Sequence, residues 1–294
     1  GWGIVRENSE KVIVLRQFLK DTKKFYLTVS PETMQTRVIN ADSIKVFSGS
    51  WQTIGSKFRK TPYILAMKEA KSKNAGIQDA GITRFKPSQK GIDLTIDLCP
   101  SHRPLDRIVF NDLIRELSKI ESPVPVGISI TGRWMNMHPA DLKWLDSLQK
   151  SGLLNIVWIN HTYNHNVSKS APLRKNFLLQ PGTNINGEVL KTEVDMLDNN
   201  ILPSVFFRFP GLVSDRSVFD EILNYGLIPL GSDAWLAKGQ QPGYGSIVLI
   251  HANGNEPVGV HDFIRLLNQM QSEVLSKKWE LFDLRESVMD DESR

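Results

Sequence analysis

The sequence predicts an α/β fold built on a parallel sheet, open or closed into a barrel, with a β-containing extension ahead of it. Two observations carry that reading. From residue 91 onward, short apolar runs alternate with mostly amphipathic stretches, the rhythm of strands joined by crossover helices. Polar, chemically capable residues follow these runs one after another, which collects them at one end of the sheet, where sites form in folds of this class.

The strands are predicted at Ile92–Ile96, Val124–Ile130, Leu153–Ile159, Val205–Phe207 and Ile247–Ile250. Helices are predicted at Leu105–Leu117, Asp141–Gln149 and Val189–Leu197. Residues 1–88 read as an extension or small accessory region, with β-like runs at Lys11–Leu15 and Phe25–Val29 and a helix near Tyr63–Lys73. The turn signal Pro87-Ser88-Gln89-Lys90-Gly91 ends it, leaving 89–294 as the main domain.

The composition excludes some classes of function. Of the 294 residues, 36 are basic and 32 acidic, an excess of +4 that says little about partners, and without a reading element no nucleic-acid partner is expected. The basic clusters Lys57-Phe58-Arg59-Lys60 and Lys68 to Lys73 lack a reading element and suit a solvated face. No apolar run is long enough to span a bilayer, and the single cysteine, Cys99, rules out an intramolecular disulfide. The Gly1-Trp2-Gly3 start suits a trimmed and a mature exported product alike, and one cysteine suits a reducing compartment without excluding export; export to the periplasm or cell envelope is the expectation, with the cytoplasm still compatible.

The strongest local signal is His161-Thr162-Tyr163-Asn164-His165. If it opens a helix or helical turn, the i,i+4 spacing puts both imidazoles on one face, within reach of one metal ion. Asp97 ends the alternating run Ile92 to Ile96 and is the first acidic candidate beside them, because a carboxylate there is either partnered or part of a site. Arg208 and His251 follow later strands at the same end, and Asp233 lies in the connection before His251.

With these residues in view, Leu94-Thr95-Ile96-Asp97-Leu98-Cys99-Pro100-Ser101 resembles the first motif of the polysaccharide deacetylase family, also called the NodB-homology domain. The stretch Pro125 to Leu145 is similar to the strand and helix that follow it there. His161 to His165 resembles the second motif, Phe207-Arg208-Phe209-Pro210-Gly211 the third, Asp233-Ala234-Trp235 the fourth and Ile247 to His251 the fifth. The likeness runs from about residue 91 to 285, with all five motifs in order.

The resemblance implies a distorted (β/α) barrel with fewer than eight units and removal of an N-acetyl group from an amino-sugar polymer or cell-wall glycan. It implies His161 and His165 as ligands of a divalent metal, usually zinc. It implies Asp97 as general base, His251 as general acid, Arg208 orienting Asp97 and Asp233 holding His251, with the backbone after Asp97 stabilising the oxyanion. Trp235, Pro210 and Arg133 would line the substrate pocket.

One position departs from the pattern. The family commonly has a second, metal-ligating aspartate where this chain has Leu98. The missing ligand is expected from Asp106, with Asp97 itself or His102 as alternatives, while Cys99 reads as packing beside the pocket. The rival reading is a non-catalytic glycan-binding or cell-envelope structural protein, in which Leu98 marks loss of the metal. Trp134 and Trp158 suit the core better than a sugar-stacking wall, His138 suits local structure and His261 the surface, and the glycines of 239–245 have no phosphate-cradling spacing.

Overall fold

The computed structural model describes residues 1–73 and 76–291. Its first part is an antiparallel sheet of β1 (Trp2–Val5), β2 (Lys11–Lys20), β3 (Lys23–Val29), β4 (Thr36–Asn40) and β5 (Ile44–Phe47), in the order β4-β3-β2-β1-β5. Two helices follow, α1 (Trp51–Lys57) and α2 (Pro62–Ser72); Ser50 caps the first, and Pro62 opens the second, where a missing N–H costs nothing.

The larger part alternates as the sequence predicts. Its elements are β6 (Gly91–Leu98), α3 (Arg107–Leu117), β7 (Val124–Ile130), α4 (Gly132–Met137), α5 (Pro139–Lys150), β8 (Leu154–Asn160), α6 (Ile185–Asp198), β9 (Phe206–Phe207), α7 (Arg216–Asn224), β10 (Ile228–Pro229), β11 (Ala234–Trp235), β12 (Ile247–His251), α8 (Pro257–Leu275), β13 (Glu280–Leu281) and α9 (Leu284–Met289). Seven parallel strands in the order β10-β9-β8-β7-β6-β12-β11 form a half-barrel, and β13 pairs with β6. This is the distorted barrel of fewer than eight units.

The pleat sorts side chains into two cores. Ile92, Leu94, Ile96 and Leu98 of β6 pack on the helix side with Val124, Val126, Ile128 and Ile130 of β7 and Val109, Phe110, Leu113, Leu145 and Phe263 of the covering helices. Asp93, Thr95 and Asp97 alternate to the barrel interior, where Thr95 Oγ1 donates to Val248 O at 2.6 Å. Gly127 of β7 faces the same interior. A Cβ there would lie 2.9 Å from Leu284 Cδ1 and 3.2 Å from Thr95 Cγ2, so the close approach requires glycine.

The N-terminal sheet and helices share a core with the barrel: Ile13, Val29, Ile54 and Tyr63 cluster with Phe206, Phe207, Phe219 and Ile222. Polar ties reinforce it. Arg16 forms a bidentate pair with Glu193 at 2.7 and 2.8 Å, and Tyr63 Oη donates to Gly226 O at 2.6 Å. Residues 77–85 then run along the seam between the two ends of the parallel sheet, bridging Ile82 to Leu230 and Arg84 to Ser246. A segment read as extension therefore forms part of the barrel wall.

An acidic cluster at the opposite end of β6 makes stability depend on pH. Burial and the carboxylates of Glu280, Glu286 and Asp283 raise Glu121 to about 7. Its protonated form favours the folded state, so this contribution is complete below the unfolded carboxyl pKa of about 4.3 and is lost as pH rises through about 7. Glu121→Gln should flatten the fall in urea midpoint between pH 5 and 8; an unchanged pH slope would refute the assignment.

Candidate active site

The strand ends bring the predicted residues together because the sheet is in register there. Asp97 pairs across to His251 on one side and Ser129 on the other, Ile130 to Asn160, and Asn160 to Phe207. His161 and Arg208 are each the first residue beyond their strand. Asp97, His161, Arg208 and His251 are all buried.

The histidine pair does not sit on a helix. Thr162 and His165 adopt left-handed dihedrals, φ 70° and 50°, and the irregular turn between them brings the two rings to a centroid distance of 4.8 Å. The buried Glu188 carboxylate of α6 holds this turn, accepting from Tyr163 N, Asn164 N and Asn164 Nδ2 at 2.9, 2.8 and 2.7 Å. Asn160 Oδ1 accepts from Thr162 N at 3.0 Å. Nothing in the spacing of the motif pointed to Glu188, which lies 23 residues beyond His165.

His161 is oriented for ligation. Its Nδ1 lies 2.8 Å from Arg208 O, and a carbonyl only accepts, so Nδ1 carries the proton and Nε2 offers its lone pair. That Nε2 faces Cys99 Sγ at 3.5 Å and Asp97 Oδ2 at 3.7 Å. His165 Nε2 is buried with no hydrogen-bond partner among the described residues. The ligand atoms of Cys99, His161 and His165 all lie within 4.8 Å of one another.

Cys99 thus stands where the ligand missing at Leu98 was sought. Strand alternation explains it: Leu98 turns to the helix-side core, and the next residue returns to the face of Asp97. Burial opposes ionisation of the Cys99 thiol, but the imidazoles of His165, His251 and His161 outweigh it and hold its pKa well below the ordinary range. Asn253, fully buried, donates from Nδ2 to Cys99 O at 2.8 Å and fixes the backbone there. A thiolate, an oriented imidazole and a second imidazole with an orphaned buried nitrogen are a donor set that fits a borderline divalent metal such as zinc.

Other expected residues lie elsewhere. Asp106 does not join this cluster; its Oδ2 accepts from Gly254 N at 3.0 Å, so the α3 entry directs it away. His102 is exposed and outside the cluster. Asp233 does not hold His251. Its Oδ2 accepts from Arg84 Nε at 2.5 Å, and Glu256 Oε2 instead lies 2.8 Å from His251 Nδ1. Burial works to lower the His251 pKa, but Cys99, Glu256 and Asp97 raise it well above the usual range.

Arg208 Nε approaches Asp97 Oδ1 at 4.0 Å, and its Nη2 donates to Thr95 Oγ1 at 2.7 Å. Burial presses its pKa down, opposed by Asp97, Asp79 and Cys99. Of the expected pocket residues, Trp235 is half-buried with its ring 5.7 Å from that of His251, Pro210 is buried, and Arg133 is exposed at the start of α4. Trp134 and Trp158 are core residues, and His138 is stacked on Trp134.

Comparison with solved structures places the fold. A family 4 carbohydrate esterase from Bacillus anthracis superposes with a TM-score of 0.54 at 14% identity, covering 84% of this chain and 95% of that one. The Bc1960 peptidoglycan N-acetylglucosamine deacetylase gives 0.51 at 15% identity, covering 70% of this chain and 91% of that one. A family 4 pseudoenzyme from Bacillus anthracis, BA3943, gives 0.49 at 16% identity over 71% and 69% of the two chains. The first two likenesses show that the chain has the polysaccharide deacetylase (NodB-like) fold. Residues 3–64 match a family model described as the RP012 protein N-terminal domain.

Proposed function

We propose that this protein is a metal-dependent hydrolase that removes the acetyl group from an N-acetylated amino-sugar polymer or cell-wall glycan, acting in the periplasm or cell envelope. The observation that carries the proposal is the convergence of Cys99, His161 and His165 with Asp97 and His251 on one face at the strand ends. The fold shared with family 4 carbohydrate esterases supports it. Asp97, His251 and a ligand set together are what amide hydrolysis needs: a base, an acid and an electrophile.

A divalent metal, zinc by the softness of its donors, would be held by Cys99, His161 and His165 and would supply Lewis acidity to the acyl carbonyl and to water. Asp97 accepts a proton from the attacking water, its carboxylate oriented by Arg208 from within the barrel. His251, protonated and facing the same pocket, gives its proton to the amine nitrogen as the C–N bond breaks, so that acetate and a free amine leave. Trp235 offers an aromatic wall beside His251 for the sugar ring.

The test is acetate release from N-acetylated glucosamine oligomers and peptidoglycan by zinc-loaded protein. Release that chelator abolishes and zinc restores is the expected result. Specific binding of the same oligomers without release, by protein with one bound zinc, would overturn hydrolysis in favour of glycan binding.

A further inference from the structure

The geometry points to Glu256 as the residue that positions His251. A histidine that donates a proton at one ring nitrogen needs the other nitrogen held, since the partner of the second nitrogen sets both ring orientation and protonation. His251 Nδ1 lies 2.8 Å from Glu256 Oε2, an ion-pair contact that falls short of hydrogen-bond direction, and the same oxygen accepts from Trp235 Nε1 at 2.9 Å. One carboxylate, bonded to the indole, therefore lies in ion-pair contact with the imidazole that the indole flanks.

Asp233 is remote from this task. Ala234, the residue after it, pairs with Val248, three positions before His251 along β12, and the Asp233 carboxylate is engaged by Arg84. Arg84 also donates to Ser246 Oγ at 3.0 Å, at the beginning of β12. The Asp233–Arg84 pair thus ties the seam segment to the barrel, and the carboxylate at His251 comes from the loop after the strand.

That loop is built to present Glu256. Asn253 is anchored to Cys99 O, Asn255 N donates to Asn253 Oδ1 at 3.3 Å, and Gly254 turns with φ 73°. Asp106 accepts from Gly254 N, so the residue expected to bind metal instead secures the turn that delivers the carboxylate. Glu256 precedes α8 but makes no side-chain capping bond, so its truncation leaves the helix start intact.

The kinetic consequence rests on the hydrolase reading, while the structural one does not, and the experiment separates them. In zinc-loaded protein, a low-field proton resonance of the His251 ring, identified by its loss in His251→Ala, should disappear in Glu256→Ala, return in Glu256→Asp and persist in Asp233→Asn. With N-acetylated glucosamine oligomers, Glu256→Ala should lower kcat about 10–100-fold, the cost of losing such an orienting partner. KM should change less than about twofold, because the interaction is with a proton donor and not with bound substrate. Glu256→Asp should recover part of the kcat. Persistence of the resonance in Glu256→Ala, or its loss in Asp233→Asn, would overturn the assignment whether or not the protein proves to be a hydrolase. If the wild type shows the resonance pattern but releases no acetate, the hydrolase reading fails and the positioning of His251 by Glu256 stands.

Discussion

Cobalt-substituted wild-type protein should show a thiolate-to-metal charge-transfer band in the near ultraviolet, and Cys99→Ala should lack it. The band requires sulfur in the coordination sphere, and Cys99 is the chain's single cysteine, so its loss reports on one atom. Among the described residues, Cys99 Sγ and the imidazoles of His161 and His165 are the mutually close candidate ligands, and the lone pair of His161 Nε2 is directed by the bond from its Nδ1 to Arg208 O. Removing one of three donors should weaken zinc binding by more than the about 10–100-fold that follows loss of an outer-shell partner. Cys99→Asp should restore binding without the band, since carboxylate and thiolate both ligate zinc. Tight stoichiometric binding by Cys99→Ala, with affinity unchanged, would show that another residue completes the site.

Asp97→Asn should lower kcat about 10²–10⁴-fold, the range for removing a general base, while the protein still binds one equivalent of zinc. The carboxylate is buried at the end of β6, with Oδ1 lacking a hydrogen-bond partner among the described residues and Oδ2 3.7 Å from His161 Nε2. Asparagine keeps the shape and removes both the charge and the capacity to take a proton. The neighbouring Arg208 is fully buried and loses its opposing charge in this variant, so the urea midpoint should be measured alongside kcat. Loss of zinc together with activity would make Asp97 a ligand instead of a base.

Much of this site was legible in the sequence because its strands are. Each of β6, β8, β9 and β12 is a short, locally coded apolar run, and the residue at its end is set by where the run stops. Asp97, His161, Arg208 and His251 were found in this way, and parallel pairing in register did the rest. Cys99 reads as packing in the sequence because a lone buried cysteine near a strand end usually is, and a hydrolase with a metal-bound water needs no thiol. In the pleat Leu98 and Cys99 face opposite sides, and the thiol returns to the face of Asp97.

What escaped the sequence were partners brought in from a distance by loops. Glu188 holds the histidine turn from α6, Glu256 meets His251 through a turn with a left-handed glycine, and Asn253 secures the Cys99 backbone. Asp106 and Asp233 were assigned to the site by motif position and proved to tie down Gly254 and Arg84. The sequence by itself determined the alternation of strands and helices and which reactive residues stand at the strand ends, because hydrophobic periodicity is local. Only the tertiary structure decided which carboxylate meets which imidazole and that the thiol joins them, because a loop's dihedral angles and its long-range contacts leave no periodic trace along the chain.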